Sequence, residues 1–268
     1  MPESSEMQFI AIQPHDTFVE IILTRPEKRN AIHWPMMQSL AQAIDQAERV
    51  SGARAILIRG QGQVFSSGLD LTALTEIAEV FGEDWRERMT NVTDAFQNVY
   101  NKVERCSLPT IALLRGFVLG LGLELALACD FRIAARHTKL GLPEAKLGLV
   151  PDVGGTTRLM SLVGPSRAKE LILTGGVIDA EIAERWGLVN KIVPDKELGA
   201  AGEALVDEIV DCAPLAVKSA RQVINQLSDV ARGLHLEALA QERLIQSEDF
   251  MIGVQSMLNK TTPRWRGM

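Results

Sequence analysis

The chain has 268 residues, of which 46% are hydrophobic and 23% charged, and a formal net charge of −6 at pH 7. This composition is typical of a globular protein and excludes a disordered chain, while the acidic balance argues against a broad nucleic-acid surface, which needs Lys and Arg. The three cysteines are far apart, without a CxxC pair or a histidine cluster, so neither a disulfide framework nor a metal site is predicted. No signal peptide or membrane-spanning run is recognisable, and we expect a soluble, cytoplasmic protein without membrane or nucleic-acid partners.

The first half of the chain alternates apolar strands with helices. The runs at residues 7–12 and Phe18–Leu23 predict an opening hairpin, and proline followed by apolar residues at helical spacing predicts a helix over Pro35–Val50. The next predicted elements, in order, are a strand at 53–59, a turn-rich loop at 61–71, an amphipathic helix at 85–106 and a strand at 110–114. This alternation is the α/β pattern.

The second half changes from mixed to helical. Helices are predicted from about residues 154 and 165, and Asp179 is predicted to cap a short helix that runs to Trp186. Leu188–Val193 has the pattern of a last strand. From about Leu198 only helices are predicted, and their apolar surface needs a partner, either the first unit or another subunit.

Three carboxylates stand out in the segment Gly116–Leu159. Glu124, Glu144 and Asp152 each lie in apolar sequence, where an unpaired carboxylate is costly to bury. Taken singly, each has a structural interpretation: a helix-start carboxylate, a cap and a turn former, in that order. Taken together, they predict a pocket.

Main-chain donors are predicted beside these carboxylates. The turn Gly120-Leu121-Gly122 opens a helix, where first-turn N–H groups lack internal partners and stabilise negative charge. It is not a dinucleotide fingerprint, because the third glycine is missing. One amide from this turn and one from the loop Ser66–Leu69 are suited to hold an oxyanion. Proton transfer next to a thioester carbonyl is a reaction class that needs these parts.

Ordered sequence blocks also carry a resemblance to a known family. The blocks are RPEKRNAI from Arg25, FSSGLDL from Phe65, LGLGLELALACDFRIAA from Leu119, LPEAKLGLVPDVGGTTRL from Leu142, GPSRAKELILTG from Gly164 and the terminal TPRWRG. Together they resemble the signature blocks of the enoyl-CoA hydratase/isomerase, or crotonase, family and cover nearly the whole chain. They identify the family and leave the substrate open.

The resemblance implies an α/β fold, a crotonase-like spiral of ββα turns with a C-terminal helical trimerisation region. Residues 1–198 would form the spiral core with the active site, and residues 199–268 the helical oligomerisation region. It implies a homo-oligomer, a trimer or a dimer of trimers, and a CoA thioester substrate. Coenzyme A is then part of the substrate, and no separate cofactor or metal is expected.

The resemblance also assigns roles to individual residues. The oxyanion hole would consist of the backbone N–H groups of Leu69 and Leu121, although most members carry glycine at the second position. Leucine there would reshape the pocket or restrict the turn. In family hydratases, residues that match Glu124 and Glu144 hold a water between them: the first helps to activate it for attack on the β-carbon, and the second delivers a proton to the α-carbon. Hydration of a 2-trans-enoyl-CoA to a 3-hydroxyacyl-CoA is therefore the leading hypothesis.

Asp152 supports an alternative. Many hydratases of the family have glycine at this position, whereas the dienoyl-CoA isomerases resemble this sequence in having aspartate there. Glu144 and Asp152 would then shuttle a proton between distant carbons of a 3,5-dienoyl-CoA or a related thioester, with Glu124 modulating their charge.

CoA contacts follow from the same resemblance. The expected CoA-binding residues are Arg25, Lys28, Arg29, Asp70 and Lys260. The loop of residues 25–30 and the region of Leu69 and Asp70 would contact the adenine through the backbone, with the basic side chains near the phosphates. Thr72 stands where many members have a phosphate-binding lysine, and this departure leaves the phosphate contacts open.

A hypothesis of a different class is a non-catalytic or RNA-binding member. One branch of the family binds RNA through a lysine-rich face of its early helix. The corresponding segment here, Pro35–Val50, contains no lysine and has Arg49 as its only basic residue, which argues against RNA binding.

Overall fold

The structure, a computed structural model, describes residues 9–227 and 230–266. Within these ranges the strands are β1 (Ile10–Pro14), β2 (Phe18–Leu23), β3 (Ala55–Gly60), β4 (Thr110–Leu114), β5 (Phe117–Leu119), β6 (Phe131–Ala135), β7 (Lys139–Gly141), β8 (Val177–Asp179) and β9 (Lys191–Val193). The helices are α1 (Trp34–Ala47), α2 (Leu74–Phe81), α3 (Met89–Arg105), α4 (Leu121–Ala128), α5 (Gly155–Thr174), α6 (Ala180–Arg185), α7 (Leu198–Val210), α8 (Pro214–Leu227), α9 (Val230–Leu244) and α10 (Glu248–Asn259). Short 3₁₀ helices lie at Pro26–Lys28, Leu71–Ala73, Glu144–Leu147 and Asp195–Glu197.

The larger sheet has the strand order β1-β2-β3-β4-β6-β9. Its first pair is antiparallel, and all the others are parallel. Its strands read as continuous apolar runs because the sheet is covered on both faces. On one face, Leu57, Ile111 and Ile133 pack with residues of α7. On the other, Ile58 and Ala112 belong to the main core with α1, α3 and α4.

A second, smaller sheet positions the site. Its order is β5-β7-β8, and isolated bridges join Ser66 to Val118 and Ile32 to Leu69 beside it. Successive turns of the chain therefore place the Ser66–Leu69 loop next to the strand that leads into α4. That helix lies in the middle of the core, because every residue of Leu121–Ala128 is buried.

Most predicted elements are confirmed, with differences at particular residues. The opening hairpin forms, and Phe18–Leu23 and Thr110–Leu114 match their predicted bounds; residues 7 and 8 lie outside the described ranges. The two helices predicted from about 154 and 165 are confirmed: they follow each other within α5 and are separated by the non-helical Gly164 (φ 78°), just before Pro165. The capping role predicted for Asp179 is wrong: it occupies the N-cap position of α6, but its carboxylate pairs with Lys139 and caps no amide.

The C-terminal helices pack on the rest of the chain. Helix α9 contacts α3 and α5, and α10 contacts the 3₁₀ turn Glu144–Leu147. The contact with α10 is close: a Cβ on Gly253 would lie 2.7 Å from the main chain of Leu147. Part of the apolar surface of these helices therefore finds its partner within the same chain. Among the described residues, no helix is both long and apolar enough to cross a membrane.

Candidate active site

A cavity of about 140 Å³ lies where the Ser66–Leu69 loop, the start of α4 and the Glu144–Leu147 turn meet. It brings together all of the residues predicted to act in catalysis: Leu69, Leu121, Glu124, Glu144 and Asp152. The rest of its wall is mostly apolar and includes Leu71, Ile77, Met89, Val92, Phe96, Leu147, Leu149 and Met257. A mostly apolar cavity with a few convergent polar groups is the usual form of a small-molecule site.

Two glycines let the donor loops approach each other. A Cβ on Gly68 (φ 93°) would lie 2.8 Å from the carbonyl oxygen of Leu119, and one on Gly120 (φ 50°) would lie 2.8 Å from Glu144 Oε1. Only glycine avoids both the clash and the strain of a positive φ. The close packing brings the backbone at residues 68–69 against the first turn of α4.

The N–H groups of Leu69 and Leu121 are available as donors. Among the described residues the Leu69 N–H has no backbone or side-chain acceptor, although its neighbours Gly68 and Asp70 both donate. Leu121 is the first residue of α4, so its N–H has no partner within the helix. Two free donors on adjacent loops at one cavity make an arrangement that suits an oxyanion.

Leucine at position 121 does not restrict the turn. The positive φ of the turn falls on Gly120, and Leu121 is not among the residues with positive φ. Its side chain lines the cavity, and its carbonyl accepts a hydrogen bond from the buried Tyr100 hydroxyl at 2.8 Å. The departure from glycine therefore alters the wall of the pocket and leaves the backbone donor in place.

Glu124 is held by the start of α5. Its Oε1 accepts hydrogen bonds from the N–H groups of Val153 and Gly155, both at 2.8 Å, and its exposure is 1%. Burial raises the pKa of Glu124 well above its usual range, and the neighbouring Glu144 and Asp152 carboxyls raise it further, against the lowering effect of the Val153 N–H. The side chain is thus fixed in place, with Oε1 bound to protein amides.

Glu144 has a carboxyl oxygen without a protein partner. Its Oε2 is buried and makes no hydrogen bond among the described residues, while Oε1 faces the turn at Gly120. Burial raises the pKa of Glu144 to about 8, and the nearby Asp152 contributes in the same direction. Burial thus favours the protonated form of Glu144, and an unpartnered buried oxygen is one that a ligand is expected to contact.

Asp152 shares the cavity with the two glutamates. Its Oδ2 accepts a hydrogen bond from the Thr93 hydroxyl of α3 at 2.6 Å. Burial raises the pKa of Asp152 to about 7; the Thr93 hydrogen bond opposes this, and the charge of Glu237 adds to it. The aspartate is thus a third titratable group at the cavity, and the turn-former interpretation does not account for its orientation.

Arg25 and Asp70 bind each other. Arg25 Nη2 lies 2.9 Å from Asp70 Oδ2, and Nη1 donates to the carbonyl of Ala31 at 2.6 Å, with both ionic side chains buried. Thr72 donates its hydroxyl to Asp70 Oδ1 at 2.6 Å. These three side chains join the loop at residues 25–31 to the loop after Leu69, so a CoA contact at this place would come from the backbone, as the resemblance implies.

The remaining predicted CoA residues are exposed. Lys28 and Arg29 lie at the end of the first 3₁₀ helix, and Ser67 donates its N–H to the Arg29 carbonyl, which places this loop directly beside the donor loop. Lys260 follows α10 by one residue, and Met257 of the same helix lines the cavity. The backbone at Arg29 is therefore bonded to a residue of the cavity wall, and Lys260 lies three residues after another residue of that wall.

Sequence reasoning missed three polar residues around the cavity. Thr93, Glu237 and Gln241 are all buried; Thr93 bonds Asp152, Glu237 bonds the start of α5, and Gln241 accepts from the Val150 N–H. A signal was present, because each of them lies on the apolar stripe of its own helix. A polar residue within such a stripe requires a buried partner.

Buried carboxylates beside free main-chain donors in an apolar cavity define a class of enzyme, one that moves protons next to a carbonyl group. Comparisons with known proteins identify the family. The family model described as enoyl-CoA hydratase/isomerase matches residues 14–268. The chain belongs to this family.

Individual relatives are similar along almost the whole chain. It is 35% identical to an enoyl-CoA isomerase/hydratase of Mycosarcoma maydis, with 92% of each protein covered. It is 30% identical to a mitochondrial Δ3,5-Δ2,4-dienoyl-CoA isomerase of Dictyostelium discoideum, covering 97% of this chain and 92% of the relative. The crystal structure of a carnitinyl-CoA hydratase from Mycobacterium avium superposes with a TM-score of 0.84 at 31% identity, over 97% of this chain and 99% of that structure. These likenesses confirm the predicted crotonase fold and do not favour the non-catalytic alternative.

Proposed function

We propose that this acyl-CoA hydratase/isomerase is a hydratase, which adds water to a 2-trans-enoyl-CoA and forms a 3-hydroxyacyl-CoA. The observation that carries the proposal is the shared cavity: Glu124 and Glu144 line the same apolar-walled space as Leu69 and Leu121. Within the described part of the chain the N–H groups of these two leucines have no acceptor. Hydration needs one base, one acid and an oxyanion site in one place.

Each residue has a step in this reaction. The thioester oxygen accepts hydrogen bonds from the Leu69 and Leu121 N–H groups. Glu124 takes a proton from water as the water oxygen bonds to the β-carbon, and the negative charge moves to the thioester oxygen. Glu144 then gives its proton to the α-carbon, which restores the thioester carbonyl. Removal of a single oxyanion donor in other enzymes costs about 3 to 4 kcal/mol of barrier, so the amides matter as much as the carboxylates.

The expected protonation states of the two glutamates suit this order of reaction steps. Like charges in one apolar cavity oppose each other's ionisation, so Glu124 and Glu144 hold one proton and one charge between them more readily than two charges. The two amides on Glu124 Oε1 stabilise a charge there and oppose the effect of burial on its pKa, whereas Glu144 Oε2 has no hydrogen-bond donor among the described residues. On this contrast we assign the base to Glu124 and the acid to Glu144.

Isomerisation of a 3,5-dienoyl-CoA is the second candidate, and Asp152 is the observation that favours it. With its pKa raised to about 7 and its side chain at the cavity, Asp152 is suited to gain or lose a proton near neutrality. One member of the pair Glu144 and Asp152 would remove a proton from C2, and the other would deliver one to C6. The double bonds move and no water is added.

The CoA and assembly assignments belong to the same proposal. Lys28, Arg29 and Lys260 would hold the phosphates, and the backbone beside Arg25 and Asp70 the adenine. Residues 199–268 would form the contacts of a homo-oligomer, a trimer or a dimer of trimers in the cytoplasm; the exposed Leu215, Val223 and Ile224 on α8 support such a surface.

One experiment separates the two reactions. The purified protein is incubated with 2-enoyl-, 3-enoyl- and 3,5-dienoyl-CoA thioesters in water enriched in heavy oxygen, and the products are analysed by mass spectrometry. Heavy oxygen in the product of the 2-enoyl thioester supports hydration. A shifted double bond without heavy oxygen supports isomerisation, and an unchanged panel refutes both.

A further inference from the structure

Glu237 lies behind the turn that carries Asp152. Its Oε2 accepts a hydrogen bond from the Gly154 N–H at 2.7 Å, and its Oε1 accepts one from the Thr157 N–H at 2.6 Å. Glu124 takes the N–H groups of two other residues at the same helix start. Two buried carboxylates from different helices therefore bind amides at the beginning of α5, where helix N–H groups lack internal partners.

The side chain of Glu237 does not reach the cavity. It is buried, with an exposure of 4%, and is absent from the cavity wall, although Gln241, one turn later on α9, belongs to that wall. The charged groups that face Glu237 are Glu124 and Asp152 on the cavity side and Arg158 on α5. Arg158 is itself paired with Glu104 at 3.0 Å, so its positive charge is shared.

Other side chains hold the same turn at its carbonyls. Gln97 donates to the carbonyl of Asp152 at 2.6 Å, and Arg158 donates to the carbonyl of Val153 at 3.1 Å. The Asp152 carboxylate is held by Thr93, and the amides of the three residues that follow it are held by Glu124 and Glu237. Glu237 is the link from the C-terminal helices to those amides.

We propose that Glu237 is a positioning residue of this active site, which holds the start of α5 from behind so that Glu124 and Asp152 face the cavity in their reactive geometry. The inference rests on the proposed function, because it concerns the residues that carry that reaction. It assigns part of the active-site support to helix α9, in the region predicted to serve oligomerisation.

The charge of Glu237 has a measurable consequence. It raises the pKa of both Glu124 and Asp152, in addition to the larger effect of burial. The base is Glu124 in hydration and, where Asp152 removes the proton, Asp152 in isomerisation. Each must lose its proton before it acts, so the acid limb of the kcat–pH profile follows its pKa. A side chain that served only packing would not move this limb.

The test compares two variants with a matched control. Glu237→Gln removes the charge, and we expect kcat to fall between about tenfold and a hundredfold with KM unchanged, because small misplacements of catalytic groups have effects of this order. Its acid limb should move to lower pH by on the order of one unit. Glu237→Asp keeps the negative charge but has a shorter side chain that no longer reaches the amides of α5, so kcat should fall while the acid limb of the kcat–pH profile stays in place. Glu242 lies on the same helix and accepts a long, 3.4 Å hydrogen bond from Thr90, so Glu242→Gln should match the wild type in both kcat and the acid limb.

The outcomes separate the inference from the proposed function. A wild-type protein that turns over none of the thioesters defeats the proposed function itself. A wild type that is active, together with a Glu237→Gln variant that keeps its kcat and its acid limb, defeats this inference alone. If circular dichroism shows that Glu237→Gln does not fold, Glu237→Asp decides: a lower kcat with unchanged KM and limb supports the inference, and wild-type kcat overturns it.

Discussion

Replacing Glu144 by glutamine is expected to lower activity and raise stability at the same time. Glutamine keeps the shape of the side chain but cannot deliver a proton to the α-carbon. General acid catalysis by a positioned side chain contributes about 10² to 10⁴ in rate, so kcat should fall by that factor, which corresponds to about 3 to 5 kcal/mol of barrier. KM should change little, because the lost step belongs to the transition state.

The gain in stability follows from the protonation of the buried group. Burial raises the pKa of Glu144 from 4.5 to about 8, so at pH 7 the folded protein keeps a proton that the unfolded chain releases. Between pH 4.5 and 7 this difference costs 1.36 kcal/mol per pH unit, or about 3 kcal/mol of unfolding free energy. The stability is present below pH 4.5 and is lost as the pH rises towards 8. Glutamine does not ionise, so Glu144→Gln should be the more stable protein at pH 7 by about 3 kcal/mol and by less than about 1 kcal/mol at pH 5.

Two measurements check this prediction. Turnover is followed by the loss of the ultraviolet absorbance of the conjugated thioester, and stability by urea unfolding at pH 5 and pH 7. Glu197→Gln is the control, because Glu197 lies in another 3₁₀ helix but is exposed, and its replacement should change stability by less than about 0.5 kcal/mol. Equal urea midpoints for Glu144→Gln and the wild type at pH 7 would refute the buried, protonated state. Full turnover would refute the catalytic role.

Three further predictions concern the groups around Glu144. Leu121→Pro deletes the proposed oxyanion donor at a position where helices tolerate proline, so kcat should fall by about 10² to 10³ while the circular dichroism spectrum stays unchanged. Leu121→Ala keeps the N–H, and its kcat should stay within about fivefold of wild type. Equal rates for the two variants would contradict the donor role. Asp152→Asn should leave the rate of hydration of a 2-enoyl thioester within about tenfold of wild type and should abolish double-bond movement in a 3,5-dienoyl thioester. Both products are measured by chromatography. A loss of hydration would instead give Asp152 a role in that reaction. Thr93→Val removes the hydrogen bond that lowers the pKa of Asp152, so this pKa should rise above about 7. The acid limb of the kcat–pH profile for isomerisation should then move to higher pH by on the order of one unit. An unmoved limb would show that Asp152 is not the group that titrates in this profile.

The sequence predicted those site residues whose polar side chains stand out against their apolar neighbours in the chain. Glu124, Glu144 and Asp152 could be recognised because each interrupts apolar sequence, and all three line one cavity. The turn at Gly120 could also be recognised, since glycine before a helix has a local conformational meaning. Their chemical roles stay predictions, because the geometry brings the groups together without a substrate between them.

Other features depended on contacts between distant parts of the chain. Strands β5, β7 and β8 have three residues each, too few for a hydrophobic period to be read. Thr93 and Glu237 interrupt the apolar stripes of α3 and α9, but their partners, Asp152 and the start of α5, could be identified only from the packing of these helices. The Asp179 cap failed for the same reason: Lys139, forty positions away in sequence, binds that carboxylate.

The wall of the cavity is assembled from residues as far apart as Ser67 and Met257. A growing polypeptide therefore has no shielded chamber until its last helices have left the ribosome and docked. Until then the cavity side of these carboxylates is open to water, which weakens the burial that raises their pKa. We therefore expect a chain that lacks its final helix, whether incomplete or cut by proteolysis, to lose activity, because the turn that carries Glu144 then has no helix packed against it.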